Sequence, residues 1–501
     1  MQIALSNVSY SYPESTHSII DNVTVTFPKG WNALLGDNGC GKTTLAKIAI
    51  GEIQPDSGSV SSNLYAAYCP QETDEAPEAL LDFAGDYSKE AVELRAKLRL
   101  EDDMPWRYDQ LSTGEKKKLQ VAVALWQRPD VLVLDEPTNH LDADARAQLI
   151  SVLEKFEGVG ILISHDRTLL DALATRCISF GATGLEVRNG SFSDVQRQAA
   201  LERASTASER EKAKRLQSRL ETERNRRAHE AARADSKFSK RNISAKDHDA
   251  KTKIDMARVS GQDGAQGKLA KQMDSRLDSV KNRLDKAFVE KRYDGNFWFD
   301  SKPHPRKTLV TVPEGKIPCG PDSLEFPNLY IDNDDHIGIT GPNGAGKTTF
   351  LSHIRKQISS DISVLDIPQE LGPDVSRCTV DEVTRMNSAE KGSVLSVVAQ
   401  LNSDPDHILE GAQTSPGELR KLIIAVGISR SPQLIIMDEP TNHLDLHSVQ
   451  ALEEALAAFP GALLLISHDD SFLHACTNRH WEVRDGVVSE LFDQSEFAER
   501  N

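Results

Sequence analysis

The amino-acid sequence predicts two α/β domains joined by an α-helical hairpin. The first observation behind this prediction is an internal repeat, because four short motifs of the first half return in the same order in the second half. The offset is 305 residues from Lys42 to Lys347 and 303 residues from Asp135 to Asp438. Spacing this regular indicates two copies of one domain.

The second observation is the pattern of apolar residues inside each copy. VLVLD at 131–135 and LIIMD at 434–438 are continuous apolar runs, which are typical of strands buried on both faces of a parallel sheet. Helical stretches separate these runs from the next apolar runs. This alternation predicts an α/β fold.

The third observation is a polar and basic segment between the copies. Positions 197–300 carry 26 Lys and Arg against 17 Asp and Glu, in a chain whose net charge is −17. Residues 200–235 lack Pro and Gly and predict a long helix. An apolar stripe with helical spacing predicts a second helix after a basic turn. We expect a helical hairpin whose basic tip meets a polyanion, with a solvated linker as the alternative. The stripe consists of Leu269, Met273, Leu277, Val280, Leu284 and Phe288.

These observations divide the chain into a first domain at 1–195, a linker at 196–305 and a second domain at 306–501. No apolar run approaches the roughly 18 residues of a membrane-spanning helix, and the N-terminus lacks the layout of a signal peptide. Six scattered cysteines without a C-x-x-C pair argue against a disulfide framework or a zinc site. We therefore expect a cytoplasmic protein.

Each copy carries the motif G-x-x-x-x-G-K-T, which builds a phosphate-binding loop. Its glycines let backbone N–H groups converge on phosphate oxygens, and the following helix adds the positive end of its dipole. Lys42 and Lys347 are predicted to contact the β and γ phosphates of ATP, and Thr43 and Thr348 to bind Mg²⁺. The other loop residues predicted to bind the nucleotide are Gly36, Asp37, Asn38, Gly39, Cys40, Gly41 and Thr44, and Gly341, Pro342, Asn343, Gly344, Ala345, Gly346 and Thr349.

Two acidic residues end one apolar strand of each copy. Asp135 and Asp438 lie where an α/β sheet presents its ligand-binding edge, so they are predicted ligands of Mg²⁺. Glu136 and Glu439 follow them directly, and we interpret them as the residues that polarise the attacking water. The alternative is a strand-end carboxylate that caps the next helix.

Histidine and glutamine occupy matched positions in the two copies. His165 and His468 each lie 30 residues beyond the aspartate of their copy, after another apolar strand. We interpret them as catalytic contacts to the γ-phosphate rather than as structural histidines. Gln71 and Gln369 lie between the phosphate loop and the later motifs, and they are candidates for contacting Mg²⁺ or water. An ordinary turn glutamine is the alternative.

A short motif before a helix is also repeated, as STGE at 112–115 and SPGE at 415–418. Both fit the capping box S-x-x-E, so these residues can simply begin a helix. A capped helix N-terminus beside a glycine also presents N–H groups to an anion. That anion is predicted to be the γ-phosphate held by the other copy. The residues concerned are Ser112, Gly114 and Glu115, and Ser415, Gly417 and Glu418.

Together, the phosphate loop, the glutamine, S-x-G-E, DEPTNHLD and SHD resemble the nucleotide-binding domain of ABC ATPases. Two such domains on one chain, no membrane domain, Glu in place of the usual signature Gln, and EPTNHLD in both copies are similar to the ABC-F family. The resemblance implies two ABC-type P-loop ATPase domains that use ATP and Mg²⁺. It also implies binding at the tRNA exit site of the ribosome, with the linker directed toward the peptidyl-transferase centre and its rRNA. Members of the family act in general translation or in resistance to ribosome-targeting antibiotics.

The resemblance further implies a monomer whose two domains pair within the chain. Each of two composite sites would join the phosphate loop, glutamine, acidic pair and histidine of one copy to the S-x-G-E motif of the other. Tyr12 matches the aromatic residue that stacks on adenine, whereas the start of the second copy offers no aromatic residue at the corresponding place. Pro416 also departs from the small residue that is usual in this motif.

Two other function classes stay open at this point. An ATPase subunit of a transporter would need a separate membrane partner, and it gives no reason for a basic hairpin. A DNA-repair or chromosome-organising ATPase would have a coiled coil that interrupts one ATPase domain. Here the helices lie between two complete domains, so DNA is not the expected partner.

Overall fold

The structure is a computed structural model, and it describes eleven stretches of the chain. These stretches are 1–13, 18–61, 63–181, 184–237, 274–281, 301–320, 322–369, 372–403, 405, 415–442 and 444–491. The chain folds into two compact units, Met1–Val195 with Arg292–Asn501, and Gln196–Lys291. Both α/β copies therefore belong to one compact unit.

The first copy is built from two sheets and the helices that cover them. Its strands are β1 (Gln2–Tyr10), β2 (Ile20–Pro28), β3 (Gly30–Leu35), β4 (Ser57–Ser61), β5 (Ala66–Cys69), β6 (Val131–Asp135), β7 (Val159–Ile163), β8 (Ala174–Gly181) and β9 (Gly184–Asn189). The main sheet has the order β5-β6-β7-β3-β8-β9 and is parallel except for the antiparallel β8–β9 pair. A separate antiparallel sheet has the order β2-β1-β4. The helices are α1 (Lys42–Ile50), α2 (Leu80–Gly85), α3 (Lys89–Lys97), a 3₁₀ helix (Met104–Gln110), α4 (Thr113–Trp126), α5 (Ala143–Leu153) and α6 (Arg167–Leu173).

The linker prediction is only partly covered by described residues. Helix α7 (Phe192–Lys237) begins upstream of the predicted start at 200, because Phe192 and Val195 pack into the hydrophobic core of the first copy. Helix α8 covers 274–281, and Leu277 and Val280 of the predicted stripe are buried there. The basic turn and the stripe residues Leu269, Met273, Leu284 and Phe288 lie outside the described residues, so the hairpin stays a prediction.

The second copy repeats the parallel core with a different sheet edge. Its strands are β10 (Thr308–Val312), β11 (Gly315–Cys319), β12 (Asp322–Phe326), β13 (Leu329–Asp332), β14 (His336–Thr340), β15 (Val364–Ile367), β16 (Leu434–Asp438), β17 (Ala462–Ile466), β18 (Arg479–Arg484) and β19 (Val487–Leu491). The main sheet has the order β11-β12-β19-β18-β14-β17-β16-β15, and β10 pairs with β13 separately. The helices are α9 (Lys347–Arg355), α10 (Pro373–Arg385), α11 (Ser388–Gln400), α12 (Pro416–Ser429), α13 (Leu446–Ala457) and α14 (Asp470–Cys476).

The central strands are buried on both faces, as their apolar runs predict. Along β6, Leu132 and Leu134 belong to one apolar cluster, and Val131 and Val133 belong to the cluster on the other face. Each such side chain contributes on the order of 1.5–3 kcal/mol by leaving water. The α/β fold is therefore confirmed, and its core is a parallel sheet between two apolar layers.

Three neighbouring strands of each copy bring the predicted motifs to one edge. In the first copy β6, β7 and β3 are adjacent and parallel, with Asp135 beside Ile163 and Leu34 beside the same residue. The second copy repeats this arrangement with β16, β17 and β14. Because parallel strands end at the same edge, the phosphate loop, the acidic pair and the histidine converge there.

Candidate nucleotide-binding sites

Each phosphate loop connects a buried strand to a helix that begins at its lysine. Gly41 and Gly346 precede these helices with φ angles of 100° and 99°, a conformation that favours glycine. A Cβ atom at Gly346 would lie 2.7 Å from the sulfur of Cys319, so a larger residue would also clash. The loop backbone is therefore folded as a close cradle in both copies.

The two loop lysines are held over the backbone of their own loops. The Nζ atom of Lys42 donates to the carbonyl oxygens of Gly36 and Asp37 at 2.8 and 2.9 Å. Lys347 makes the corresponding two bonds in its loop at 2.7 and 3.0 Å. Both ammonium groups thus lie at the loops where phosphate oxygens are predicted to bind.

The predicted ligands of Mg²⁺ are paired in both copies. Thr43 Oγ1 donates to Asp135 Oδ2 at 2.7 Å, and Thr348 Oγ1 donates to Asp438 Oδ2 at 3.0 Å. Burial raises the pKa of both aspartates. Hydroxyl and carboxylate oxygens are the ligands that Mg²⁺ prefers, so these pairs fit the predicted ion.

The two predicted water-polarising glutamates share an unusual backbone conformation. Glu136 and Glu439 have φ angles of 46° and 49°, in the left-handed region that side chains such as glutamate rarely adopt. Their N–H groups donate at 2.8 Å to the carbonyl oxygens of Ile163 and Ile466 on the adjacent strand. Burial raises the pKa of both carboxyl groups to about 8. A carboxylate with a pKa near the working pH is suited to act as a general base.

The two histidines lie beside these glutamates. In each copy the ring Nε2 atom of the histidine is 3.4 Å from Oε1 of the glutamate. The backbone N–H of the same histidine donates to Oε2 of that glutamate at 3.4 Å. Burial lowers the pKa of His165 and His468 to about 3. Both rings are therefore neutral near pH 7, so each can donate through one nitrogen and accept through the other.

The second copy shows an acceptor beside its histidine that no described donor satisfies. His468 Nε2 is hydrogen-bonded to Asn343 Oδ1 at 3.0 Å, and the buried Oε1 atom of Glu439 accepts no hydrogen bond from the described residues. A buried carboxylate oxygen without a donor is costly unless a ligand or water supplies one. This geometry fits a glutamate that binds and polarises a water molecule.

A cavity of about 470 Å³ lies between the two α/β copies. Ser112 and Gly114 line it from the first copy, and Lys347, Gln369 and Glu439 line it from the second. The structure thus brings the S-x-G-E motif of one copy to the phosphate loop of the other. The role of these residues in nucleotide binding stays a prediction.

Backbone and side-chain contacts join the copies at this cavity. The N–H of Asn343 in the second phosphate loop donates to Asp142 Oδ2 of the first copy at 3.1 Å. Its Nδ2 atom donates to the carbonyl oxygen of His140 at 2.9 Å. The motif DEPTNHLD therefore supplies more than the acidic pair with which it begins, because its His140 and Asp142 contact the phosphate loop of the other copy.

Both S-x-G-E motifs form the capping box that their sequence predicts. The hydroxyl of Ser112 accepts from the Glu115 N–H at 3.3 Å, and the Glu115 carboxylate accepts from the Ser112 N–H at 2.9 Å. Ser415 and Glu418 make the same two bonds at the same distances. The capping interpretation is confirmed, and it is compatible with a further role toward a phosphate group.

The first phosphate loop meets the second copy through another contact. His447 Nδ1 lies 3.1 Å from Asp37 Oδ1, within hydrogen-bonding distance. The matched positions in the reverse direction are Asp144 and Pro342, which cannot form this pair. The surroundings of the two phosphate loops therefore differ.

The predicted adenine-stacking residue also lies beside its phosphate loop. The hydroxyl groups of Tyr12 and Thr44 are 3.0 Å apart, and 44% of Tyr12 is exposed. In the second copy the sulfur of Cys319 lies 4.0 Å from Oγ1 of Thr349, the counterpart of Thr44. The thiol of Cys319 thus occupies the position that the Tyr12 ring has in the first copy. This agrees with the absence of an aromatic residue at the start of the second copy.

Sequence reasoning missed two buried basic residues that donate hydrogen bonds to the backbone at Gln71 and Gln369. Lys117 Nζ donates to the carbonyl oxygen of Gln71 at 2.9 Å, and Arg420 Nη2 donates to that of Gln369 at 2.5 Å. Arg420 also donates to the carbonyl oxygen of Glu439. Both glutamine residues are exposed, and these hydrogen bonds hold their backbone in place. The sequence does carry a signal for them, because each S-x-G-E motif is followed by a basic residue five positions after its serine.

The repeated fold and the paired phosphate loops define a tandem ABC ATPase. The family model described as ABC transporter matches residues 20–139 and 324–442. The chain is 30% identical to the ribosome protection protein VmlR of Bacillus subtilis, with 100% of this chain and 89% of VmlR covered. It is 28% identical to the tylosin resistance ATP-binding protein TlrC of Streptomyces fradiae, with 97% of this chain and 98% of TlrC covered. The chain belongs to the ABC-F family of ABC proteins, and it is an ATPase with two ATP-binding domains.

Solved structures agree with this fold assignment. The chain aligns with the RNase-L inhibitor with a TM-score of 0.63 and 17% identity, over 99% of this chain and 92% of that chain. A complex of the archaeal ribosomal stalk protein aP1 with the archaeal ribosome recycling factor aABCE1 gives a TM-score of 0.64 and 18% identity, over the same shares. In the part of the chain that the structure describes, no helix is long and apolar enough to cross a membrane.

Proposed function

We propose that the chain is a cytoplasmic, ATP-dependent factor that acts on the ribosome during translation. The observation that carries this proposal is the cavity in which the S-x-G-E motif of the first copy faces the second phosphate loop. Such a site is complete only when the two copies meet, so a nucleotide bound there favours the closed pair. Closure is the movement that would be coupled to ribosome binding.

Each composite site would hold one ATP molecule with Mg²⁺. The loop lysines and backbone N–H groups would bind the phosphates, and the paired threonine and aspartate oxygens would hold the ion. When bound, Mg²⁺ neutralises phosphate charge in the transition state. Hydrolysis is then mostly positioning and charge stabilisation by the residues of the chain.

The glutamates and histidines would perform the proton chemistry. Glu136 and Glu439 would accept a proton from the water that attacks the γ-phosphate, a contribution typically of about 10²–10⁴-fold. His165 and His468 would contact the γ-phosphate with neutral rings. Gln71 and Gln369 would contact Mg²⁺ or the attacking water. After hydrolysis the γ-phosphate contacts are lost, which would open the pair.

The basic linker would be the part that contacts RNA. Its excess of Lys and Arg suits phosphate contacts, which weaken as salt rises. We infer that the closed form binds at the tRNA exit site and that the linker points toward the peptidyl-transferase centre. The names of VmlR and TlrC support a role in ribosome protection and antibiotic resistance.

Co-sedimentation with ribosomes tests the proposal. The double variant Glu136→Gln, Glu439→Gln should bind ATP, stay closed, travel with ribosomes in ATP and modest salt, and inhibit translation in vitro. The same variant without nucleotide is the control. Sedimentation with membrane vesicles instead would favour an ABC transporter subunit with a separate membrane partner, and sedimentation with neither would contradict both functions.

Linker variants test the RNA contact separately. Neutralising six cations should weaken ribosome binding and flatten its salt dependence, because fewer counterions are released. ATP affinity should not change. Unaltered ribosome binding would reduce the linker to a spacer. The six residues are Lys237, Lys240, Arg241, Lys246, Lys251 and Lys253.

A further inference from the structure

One buried arginine of the first copy contacts the second copy beside its catalytic histidine. Arg146 lies in the first turns of α5 and is 8% exposed. Its Nη2 atom donates to the carbonyl oxygen of His468 at 2.7 Å. Its Nε atom lies 3.0 Å from Oδ2 of Asp166, in its own copy. The guanidinium therefore joins residues 164–166 of the first copy to residues 467–469 of the second. We call these two segments the histidine loops.

The contact acts on a residue that the proposed chemistry uses. His468 places Nε2 at 3.0 Å from Asn343 Oδ1 and at 3.4 Å from Glu439 Oε1. Its backbone orientation sets where this ring and its N–H can reach. An arginine that binds the carbonyl oxygen of the same residue removes freedom from that backbone, and hydrogen bonds to charged groups are the stronger class.

The second copy cannot make the equivalent contact to the first copy. Val449 occupies the position of Arg146 in the second copy, and it is packed in the apolar core there. A valine side chain has no donor, so it cannot bind the carbonyl oxygen of His165. The two composite sites thus differ in a contact next to the catalytic histidine.

We propose that Arg146 is a positioning residue of the second site, supplied in trans by the first copy. It fixes the His468 loop when the two copies meet, and it links that loop to the His165–Asp166 segment of the first site. Catalysis at the second phosphate loop then depends on closure and on the first copy. This inference rests on the proposed function of Glu439 and His468.

A neighbouring pair provides the matched control. Arg167 Nη2 lies 2.9 Å from Glu453 Oε2 across the same boundary, and both side chains are largely buried. Its ion pair joins α6 to α13 and involves no side chain of either histidine loop. A general loss of attraction between the copies would therefore follow from Arg167→Ala as well as from Arg146→Ala.

The experiment compares Arg146→Ala, Arg146→Lys and Arg167→Ala in the full chain. In a Glu136→Gln background, which isolates the second site, steady-state ATP turnover should show a kcat about tenfold lower in Arg146→Ala than in that background alone, with KM for ATP within about twofold. Arg146→Lys should recover much of the loss, because an ammonium group can also donate to the carbonyl oxygen. Arg167→Ala should keep kcat within about twofold. Equal losses in the two alanine variants would overturn the proposal.

Amide hydrogen exchange provides a readout that does not depend on hydrolysis. Arg146→Ala should accelerate exchange about tenfold in segment 463–470, and segment 160–167, which holds its other partner Asp166, should also exchange faster. Arg167→Ala should leave 463–470 unchanged. Unchanged exchange in Arg146→Ala would overturn the proposal even if turnover fell. A wild-type chain without ATP turnover would instead contradict the proposed function, and the exchange data would still decide the role of Arg146.

Discussion

The two phosphate loops are nearly identical, whereas the contacts that surround them are not. The threonine–aspartate distances are 2.7 and 3.0 Å, and the glutamate φ angles are 46° and 49°. Around this shared core, Arg146 and Asn343 join the copies at the second loop, and His447 joins them at the first. The duplicated chemistry is thus placed in two different interfaces, and we expect the two sites to behave differently.

The largest expected effect is the loss of ATP turnover when the two glutamates are replaced, and this loss should differ between them. Glu136→Gln and Glu439→Gln should each lower ATP turnover, and the double variant should lower it at least about 10²-fold. We expect the larger single loss for Glu439→Gln, because its Oε1 atom has no competing donor among the described residues and Arg146 orders the adjacent loop. Phosphate release under saturating ATP measures both losses.

A nucleotide-binding titration is the control for these variants, since glutamine should preserve ATP affinity. Equal losses in the two single variants would show that the interface differences do not reach the chemistry. Wild-type turnover in the double variant would refute the assignment of both glutamates as bases.

The second comparison concerns two lysines at matched positions after the S-x-G-E motifs. Lys421 is 1% exposed and lies 2.7 Å from Asp445, which is equally buried. Lys118 is half-buried and donates only to the carbonyl oxygen of Leu98, at 3.1 Å, among its described partners. Lys421→Met should therefore cost about 3–5 kcal/mol of unfolding free energy, because it leaves a buried carboxylate unpaired. Lys118→Met should cost about 1 kcal/mol.

Denaturant unfolding of both variants measures this difference. Adding Asp445→Asn to Lys421→Met is the matched control, and it should restore part of the lost stability by removing the unpaired charge. Similar costs for the two lysine variants would show that Asp445 finds another partner.

The pH dependence of stability tests the buried glutamates in the nucleotide-free protein. Their pKa is raised to about 8, above the usual value of 4.5, so the folded state binds more protons than the unfolded state between these limits. Stability should fall as pH rises from about 4.5 to about 8, on the order of a few kcal/mol. Glu→Gln variants lack this penalty, so their advantage in melting temperature should grow over the same range.

Melting curves at pH 5 and pH 8.5 measure this growth. An advantage that is equal at both pH values would mean that the carboxyl groups titrate normally. Comparing Glu136→Gln with Glu439→Gln also reports whether Arg146 lowers the penalty in the second copy.

The fold and the local geometry of the motifs could be predicted from the sequence because they depend on local patterns. Continuous apolar runs predicted β6 and β16, and the phosphate loops and capping boxes formed where their spacing placed them. The repeat made each interpretation stronger, because a chance match does not recur with its neighbours.

The contacts between the copies could not be predicted in the same way. Arg146 and His468 are 322 residues apart in sequence, and Asp37 and His447 are 410 residues apart. No periodicity or motif spacing reports which side chains meet when two surfaces pair. The left-handed backbone of the glutamates was also missed, since it follows from the loop that leads from strand β6 to helix α5, and from β16 to α13, rather than from residue type.

A smaller effect is expected at the adenine-binding position. Tyr12→Ala should weaken ATP binding at the first site about tenfold, because stacking on a base contributes about 1–3 kcal/mol. Cys319→Ala, at the matched place of the second copy, should change affinity less than twofold. Titration in a Lys347→Ala background isolates the first site for the Tyr12 variants, and a Lys42→Ala background isolates the second site for Cys319→Ala. Tyr12→Phe is the control that keeps the ring. Equal affinities of Tyr12→Ala and Tyr12→Phe would exclude stacking.

The smallest expected effect belongs to the contact between His447 and Asp37. Both side chains are partly exposed, so the pair should contribute less than about 1 kcal/mol to closure and should weaken as salt rises. His447→Ala should therefore lower the apparent ATP affinity for closure, measured by energy transfer between dyes on the two copies, by less than about fivefold. Asp144→Ala is the matched control, because Pro342 opposite offers no partner. A loss that persists in high salt would show that His447 packs against the phosphate loop rather than pairing with its carboxylate, and the first interface would then depend on shape and not on charge.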